Sequence, residues 1–504
     1  MLLVTPEQMK KIESESNKNG VSFSALMQNA GKSLAEFINS VNTGLKSILF
    51  LCGKGNNAGD CFVASRFLIQ KGWNVTLAML CGKPETDISI KAFEKSNASL
   101  ILWDQNDIIE FAEDSTKYSI VADGVFGTGF HGDLPETIKK VFNAVKGYKI
   151  AVDIPSGGSG STGYASENTF KADATVTFGY RKFGMTQYPL LNFCGKIFIK
   201  DIGLNCDPEK ILNKKIRLIT DQLTNNIIPA KKPDSHKGNF GRLVTVCGSR
   251  KMPGACIMSA VSAARCGVGL LTTATISENI PIMSMKIPEV MFEPLLSDDN
   301  GFIVKDNLDK IITLTKKASA VLIGCGIGIT PETKILVKEL IRNINCPIIL
   351  DADGINCISD SINIIRETRS GIILTPHPAE MSRLTGKSIA DIQSDRLNTA
   401  VNFSAEYGAV TVLKGAGTII TDGSNSYVNL TGNPGMGKGG SGDILSGMIA
   451  SFAAQGISLT EACMISVYLH GKAGDKAAQK MSMQSMLPTD IIGELPGLLK
   501  EMEK

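Results

Sequence analysis

The residues best suited to chemistry in this sequence lie in glycine-rich loops, each at the end of an apolar run. Near the C-terminus, Gly432-Asn-Pro-Gly-Met-Gly-Lys-Gly-Gly-Ser-Gly-Asp443 leads into an amphipathic stretch that starts at Ile444. Glycines let successive N–H groups face one point, and a helix start adds partial positive charge. Gly440, Ser441 and Gly442 are therefore expected to form an anion hole for phosphate. Asp443 follows directly, placed to take a proton from an attacking hydroxyl. Lys414-Gly415-Ala416-Gly417-Thr418 and Thr375-Pro-His377-Pro-Ala-Glu380 end two further apolar runs and are expected to reach the same site.

The first half carries a second set. Gly53-Lys-Gly-Asn56-Asn57-Ala58-Gly59-Asp60 follows one apolar run and opens a helical pattern from Cys61 to Lys71, a geometry that holds negative groups at a helix start. Asp123-Gly-Val-Phe-Gly127-Thr128-Gly129-Phe130-His131-Gly132-Asp133 and Asp153-Ile-Pro-Ser156-Gly close two more runs. Asn57, Asp123 and Ser156 are hard oxygen donors able to hold a monovalent cation, and Asp153 could serve as acid or base. A carboxyl group normally titrates near 4, so Asp153 would need partial burial to work near neutral pH. The competing reading is that these groups only cap helices and satisfy turns. Cys61 is either an oxidisable thiol or, as its place on a helix's buried face favours, an inert one. Lys438 either contacts a phosphate or is a solvated loop lysine.

These loops need a scaffold, and the periodicity supplies one. Short apolar runs at Ser47 to Cys52, Val75 to Leu80, Tyr118 to Ala122, Lys149 to Ile154 and Ala174 to Phe178 alternate with helical patterns. That order predicts a doubly wound parallel sheet with its ligand beyond the strand C-terminal ends. Between Cys206 and His236 the pattern turns polar and irregular, which marks a boundary. The alternation resumes at Leu243 to Cys247, Leu270 to Ile276, Ala320 to Ile323, Pro347 to Leu350, Gly371 to Leu374 and Val410 to Leu413, implying a second α/β domain.

Composition narrows the partners. The chain has 504 residues, 43% of them hydrophobic, enough for two domains with large cores. With 52 Lys+Arg against 49 Asp+Glu, a formal charge of +3 gives no reason to expect nucleic acid or an anionic membrane as partner. No run approaches the roughly 18 apolar residues of a membrane span, and charges at Glu7, Lys10, Lys11 and Glu13 interrupt the N-terminus, so a cytoplasmic location is expected. Twelve scattered cysteines without a CxxC pair suggest buried reduced thiols.

Together the motifs carry a resemblance. Met27-Gln-Asn-Ala-Gly31 and the three loops of the first half resemble the NAD(P)H-hydrate epimerase domain, over roughly residues 1–215. His236-Lys-Gly-Asn-Phe-Gly241, Gly324-Cys-Gly-Ile-Gly328, Asp351-Ala-Asp-Gly354 and the three loops of the second half resemble the ribokinase-like NAD(P)H-hydrate dehydratases, over roughly 225–504. Fused in this order, the two resemble the bifunctional NAD(P)H-hydrate repair enzymes. The resemblance implies a Rossmann-like first domain and a ribokinase-like second one.

It also implies a task. NADH or NADPH hydrated at the nicotinamide C5–C6 bond exists as R and S forms at C6. The first domain would interconvert them, and the second would dehydrate the S form, giving AMP and phosphate when ADP is the donor. By this resemblance Asn57, Asp123 and Ser156 are potassium ligands, and Asn56, Asn57, Ala58, Gly59, Asp60, Gly127 to Asp133 and Asp153 bind the hydrate (NADHX or NADPHX), with Asp153 moving the proton. Asp443 is the base for phosphorylation of the C6 hydroxyl. Lys414 to Thr418 and Gly442 contact nucleotide, Ala255, Gly326 and His377 contact hydrate, and Glu380 organises Mg²⁺ through water. ADP is expected over ATP as phosphoryl donor, and a homo-oligomer is expected. Ala58, Cys61 and Met436-Gly-Lys438-Gly depart from the family pattern. Alternatives are a ribokinase-like small-molecule kinase with a non-catalytic first domain, a dehydratase with a regulatory first domain, and a nucleotide-sensing scaffold without turnover.

Overall fold

A computed structural model describes residues 1–41, 44–102, 111 and 115–503. The chain divides into two compact units, Leu2–Ile216 and Arg217–Lys504. Among the described residues no helix is long and apolar enough to cross a membrane.

The N-terminal unit is built on a seven-stranded sheet. Its order is Ser99–Leu102, Asn74–Met79, Ser47–Cys52, Ile120–Gly124, Tyr148–Val152, Ala174–Phe178 and Lys196–Lys200, with every pairing parallel. Alternate residues of Ser47–Cys52 serve opposite faces. Ile48, Phe50 and Cys52 pack under the helices Phe23–Ser40 and Asn56–Gln70, and Leu49 and Leu51 pack under Glu136–Ala144. The edge strands Ser99–Leu102 and Lys196–Lys200 escaped the sequence reading. Lys-Ile-Phe-Ile-Lys alternates as a half-exposed edge does, and its lysines hide the apolar signal. From Ser47–Cys52 the order runs one way through Asn74–Met79 and the other way through Ile120–Gly124. The winding therefore reverses between those two neighbours, where Cys52 lies beside Gly124.

The C-terminal unit repeats this plan. Met291–Leu295, Leu270–Ile276, Arg242–Val246, Ala320–Ile323, Ile348–Leu350, Ile372–Leu374 and Val410–Leu413 are parallel, and the antiparallel strands Thr418–Thr421 and Asn425–Asn429 extend the sheet. Its reversal lies between Arg242–Val246 and Ala320–Ile323. The sequence missed the antiparallel pair because Thr418 belongs to the same Gly-rich loop that reads as a binding turn. It missed Met291–Leu295 because Pro294 and Glu293 break that run. Helices Pro253–Arg265 and Ser441–Ala454 cross closely: a Cβ on Gly447 would meet Ser259 O at 2.2 Å. Their packing seats Asp443 above the strand ends.

Candidate active sites

In the N-terminal unit a cavity of about 900 Å³ opens at the reversal point. Asn56, Asn57 and Asp60 line it from the start of Asn56–Gln70, Gly127 to His131 and Asp133 from the next loop, and Asp153 from the third. Ala58, Gly59 and Gly132 do not line it. Ala58 is fully buried in the core, and Gly59 is a packing glycine whose Cβ would strike Met27 Cε at 2.5 Å. Cys61 is buried as well, donates to Asn57 O at 3.5 Å, and burial raises its thiol pKa well above the usual value, which makes it the inert thiol of the two readings.

Asp153 sits in the left-handed backbone region at φ 65°. Its carboxylate accepts from Thr177 Oγ1 at 3.0 Å, from the Phe178 N–H at 3.2 Å and from the Lys182 ammonium. Lys182 is almost wholly buried and also donates to Thr177 Oγ1 at 3.1 Å and Phe178 O at 3.2 Å. Sequence reasoning missed Lys182 because Arg181-Lys182 looks like a solvated basic pair; the signal was its flanking by Phe178 and Phe183. Glu13, on the helix Pro6–Lys18, was missed too. Burial, then Asp153, raises the pKa of Asp60 far above the carboxylate range and that of Glu13 above it.

Asn57, Asp123 and Ser156 converge around one turn. Asp123 accepts from Ser156 Oγ at 2.6 Å, Ser156 N at 2.8 Å and Val125 N at 3.1 Å. Asn57 Nδ2 and Ser156 Oγ both donate to Phe126 O, at 3.1 and 3.0 Å. Burial lifts the Asp123 pKa to about 7 against these hydrogen bonds, and among the described residues no basic side chain forms an ion pair with it. A buried carboxylate among oxygen donors, with no cation of its own, fits a monovalent ion.

The second site gathers at the other reversal point. Asp351, which the sequence placed in a motif without a role, is its hub. Asp351 Oδ1 accepts from Thr375 Oγ1 at 2.6 Å and Lys414 Nζ at 2.8 Å, and Oδ2 accepts from Ser446 Oγ. Despite complete burial, these partners hold its pKa below the usual value. Lys414 also lies 3.7 Å from Glu380, and a Cβ on Gly442 would sit 3.6 Å from Lys414 Nζ and 3.9 Å from Asp351 Oδ2. Asp443, Asp351 and Cys325 present ligand atoms within 4.8 Å of one another. The neighbouring Cys247 first, then burial, raises the Cys325 pKa well above normal, so the thiol keeps its proton and is a hydrogen-bond donor to Asp443. Burial first, then Asp351, raises the Asp443 pKa to about 6.

Gly440, at φ 105°, turns the chain into the helix without a side-chain cap. The Ser441 N–H is spent on Lys438 O at 3.3 Å, and its hydroxyl on Met436 O at 2.7 Å. Among the described residues nothing takes the N–H of Gly440, Gly442 or Asp443, so these are free donors at the hole. Lys438 follows neither reading offered for it: its ammonium is held by Gln484 O at 3.0 Å and Met486 O at 2.5 Å. The turn of Gly415 and Ala416 is propped from beneath by Arg396, whose guanidinium donates to Leu413 O at 3.1 Å and Lys414 O at 3.3 Å. Thr418 Oγ1 closes the turn on Gly415 O at 2.7 Å. Gly417 lies in the same turn at φ 69°.

Gly326 and Ala255 touch, a Cβ on the first meeting the second at 2.9 Å. His377 caps the helix Pro378–Thr385: its Nδ1 accepts from Ala379 N at 3.1 Å and Glu380 N at 3.3 Å, and Glu380 answers by accepting from His377 N at 2.7 Å. Burial raises the Glu380 pKa to about 7. This hard oxygen group beside Lys414 fits a water-mediated contact to Mg²⁺ better than direct ligation, because its oxygens already hold protein donors.

Two carboxylate centres on two doubly wound sheets, one with a ligand cavity and one with a phosphate cradle, define a fused nucleotide-handling enzyme. Residues 243–497 match the family model described as NAD(P)H-hydrate dehydratase, and residues 24–184 match the one described as YjeF-related protein N-terminus. The chain is 34% identical to a bifunctional NAD(P)H-hydrate repair enzyme of Thermofilum pendens, over 100% of this chain and 97% of that protein. It is 34% identical to one of Moorella thermoacetica, over 100% and 98%. Among solved structures, the ADP/ATP-dependent NAD(P)H-hydrate dehydratase of Bacillus subtilis, co-crystallised with ATP and Mg²⁺, aligns with a TM-score of 0.50 at 28% identity, covering 57% of this chain and 99% of that one. The chain belongs to the family of bifunctional NAD(P)H-hydrate repair enzymes.

Proposed function

We propose that the N-terminal unit epimerises the R and S hydrates of NADH and NADPH at C6, and that the C-terminal unit dehydrates the S form at the expense of ADP, releasing AMP and phosphate. The carrying observation is the pairing of a phosphate cradle with a half-buried carboxyl group, Asp443, whose pKa near 6 suits a base at neutral pH. Hydroxide leaves poorly and phosphate leaves well, so phosphorylating the C6 hydroxyl prepares its loss.

Asp443 takes the hydroxyl proton. The N–H groups of Gly442 and Asp443 and the Lys414 ammonium stabilise the phosphoryl charge, each well-aimed donor being worth roughly 3–4 kcal/mol. Gly415 to Thr418 receive the nucleotide, and Ala255, Gly326 and His377 the hydrate. Mg²⁺, arriving with the nucleotide, supplies charge neutralisation, with Glu380 holding its water. ADP is preferred to ATP as donor. In the first unit Asn57, Asp123 and Ser156 hold K⁺, Asn56, Asp60, Gly127 to His131 and Asp133 bind the hydrate, and Asp153 moves the proton. The enzyme works in the cytoplasm as a homo-oligomer on small molecules.

The test is regeneration of NADH from mixed hydrates with Mg²⁺, K⁺ and either nucleotide, followed by absorbance. Conversion of the whole pool with ADP, faster than spontaneous epimerisation, is expected. A stall at the S fraction would remove the epimerase, and no conversion with either donor would remove the dehydratase.

A further inference from the structure

The cavity of the N-terminal unit holds carboxyl groups under two kinds of restraint. Asp153 is fixed by Thr177, Phe178 and the buried Lys182. Asp60 lines the same cavity from the helix that opens it, and among the described residues it takes no hydrogen bond and no ion pair. The remaining titratable groups facing this space are Glu13 and Lys10 from the helix Pro6–Lys18, Lys54 from the loop before Asn56–Gln70, and His131 and Asp133 from the loop after Ile120–Gly124. An immobilised carboxylate and an unpartnered carboxyl group facing one cavity are what inversion at a single carbon requires, because a proton must be given on one side and taken on the other.

We propose that Asp60 is the proton donor and Asp153 the proton acceptor of the epimerisation, with Lys182 as the positioning residue that holds the Asp153 carboxylate at the cavity wall. This rests on the reading of the N-terminal unit as the hydrate epimerase. C6 of the hydrate bears its hydroxyl beside the ring nitrogen N1, so it is a hemiaminal carbon. Asp60 gives its proton to that hydroxyl. The C6–O bond breaks with its electron pair leaving as water, and the N1 lone pair closes an N1=C6 iminium. A water then adds from the opposite face: its oxygen forms the new C6–O bond, its proton passes to Asp153, and N1 recovers its lone pair. One water leaves and one enters, a proton has moved from Asp60 to Asp153, and the return reaction uses the same groups in exchanged roles. Burial, then Asp153, raises the Asp60 pKa well above its usual value, the direction a proton donor needs.

The full chain tests this with mixed hydrates and excess ADP, where the slow phase after the S form is consumed reports epimerisation. Asp60→Asn is expected to slow that phase about 100-fold and to abolish the alkaline fall of its pH profile. Lys182→Met is expected to slow it comparably, and Lys182→Arg to recover at least about tenfold of that loss, which a merely structural lysine would not do. In H₂¹⁸O the wild type is expected to place one ¹⁸O on C6 per inversion above the spontaneous rate. Inversion without label overturns the proposal. So does an Asp60→Asn enzyme within about threefold of wild type that keeps its alkaline limb. A wild type that does not accelerate the slow phase at all overturns both the epimerase reading and this one.

Discussion

The two centres stand at corresponding places on two doubly wound sheets, yet each places a lysine differently. In the N-terminal unit Lys182 binds the proposed catalytic carboxylate, Asp153, directly. In the C-terminal unit Lys414 binds the neighbour, Asp351, at 2.8 Å, and among the described residues Asp443 forms no ion pair. The first arrangement fixes a group that must accept a proton at a defined face. The second leaves Asp443 destabilised as an anion, with a pKa near 6, poised to hold a proton once the hydroxyl has lost it. The backbone device beneath both sites is shared. A Cβ on Gly53 would lie 1.9 Å from Val125 O, and one on Gly324 2.0 Å from Asp351 O, so in each unit a glycine after a reversal-point strand lets the adjoining loop close over it.

The largest effect that could break this comparison comes from exchanging the acceptors for amides. Asp443→Asn should slow nucleotide-dependent dehydration of S hydrate by about 10²–10⁴-fold, and Asp153→Asn should leave that rate alone and slow only the epimerisation phase. Separate single-turnover and mixed-hydrate assays decide it. If either substitution impairs both phases equally, the division of labour between the units is wrong.

Next in size is the lysine. Lys414→Met strips the partner from the buried Asp351, which takes a hydrogen bond from Ser446 and another from Thr375 but, among the described residues, pairs with no other cation. An uncompensated buried charge costs about 3–5 kcal/mol, so the C-terminal unit should melt earlier in thermal unfolding and lose nucleotide turnover together. Lys414→Arg should restore stability more than rate, since a guanidinium fork cannot repeat a point contact to Asp351 and Glu380. A stable, active Lys414→Met enzyme would mean that Asp351 is not held as the anion described here.

The pH dependence sharpens the comparison at a smaller scale. A base must be ionised to act, so the dehydration rate under saturating substrate should rise about tenfold per pH unit below 6 and level off above it, following the Asp443 carboxyl group. Replacing Cys325 by Ala removes a hydrogen bond that favours the ionised form, and the limb should then move to higher pH. A limb that moves down, or not at all, would show that the thiol does not face the Asp443 carboxylate.

Much of both sites was legible because glycines and acids at strand ends survive as short contiguous motifs: the loops at Asn56, Asp123, Asp153, Lys414 and Gly440 all lie at strand C-terminal ends. What was not legible was pairing. Lys182 and Asp351 acquire their roles only when strands far apart in sequence lie side by side, and a lysine beside an arginine reads as solvated unless the nearby Phe178 and Phe183 are weighed. Direction was hidden too, because the Gly-rich run from Gly432 shows that N–H groups can converge but not that Ser441 spends its own on Lys438.

The smallest effect concerns the family departures Ala58 and Cys61. Both are fully buried on the core side of the helix Asn56–Gln70, away from the cavity that its Asn56, Asn57 and Asp60 line. A helix that presents polar groups to a ligand and small apolar groups to a core can vary the second set at little catalytic cost. Cys61→Ala should therefore leave the epimerisation rate within about twofold and lower stability by about 1 kcal/mol, the loss of one buried sulfur contact. Peroxide treatment should likewise leave that rate unchanged, because burial keeps the thiol protonated and shielded. A peroxide-sensitive epimerase that becomes resistant on Cys61→Ala would place the thiol in communication with the cavity and overturn the assignment of this helix face to the core.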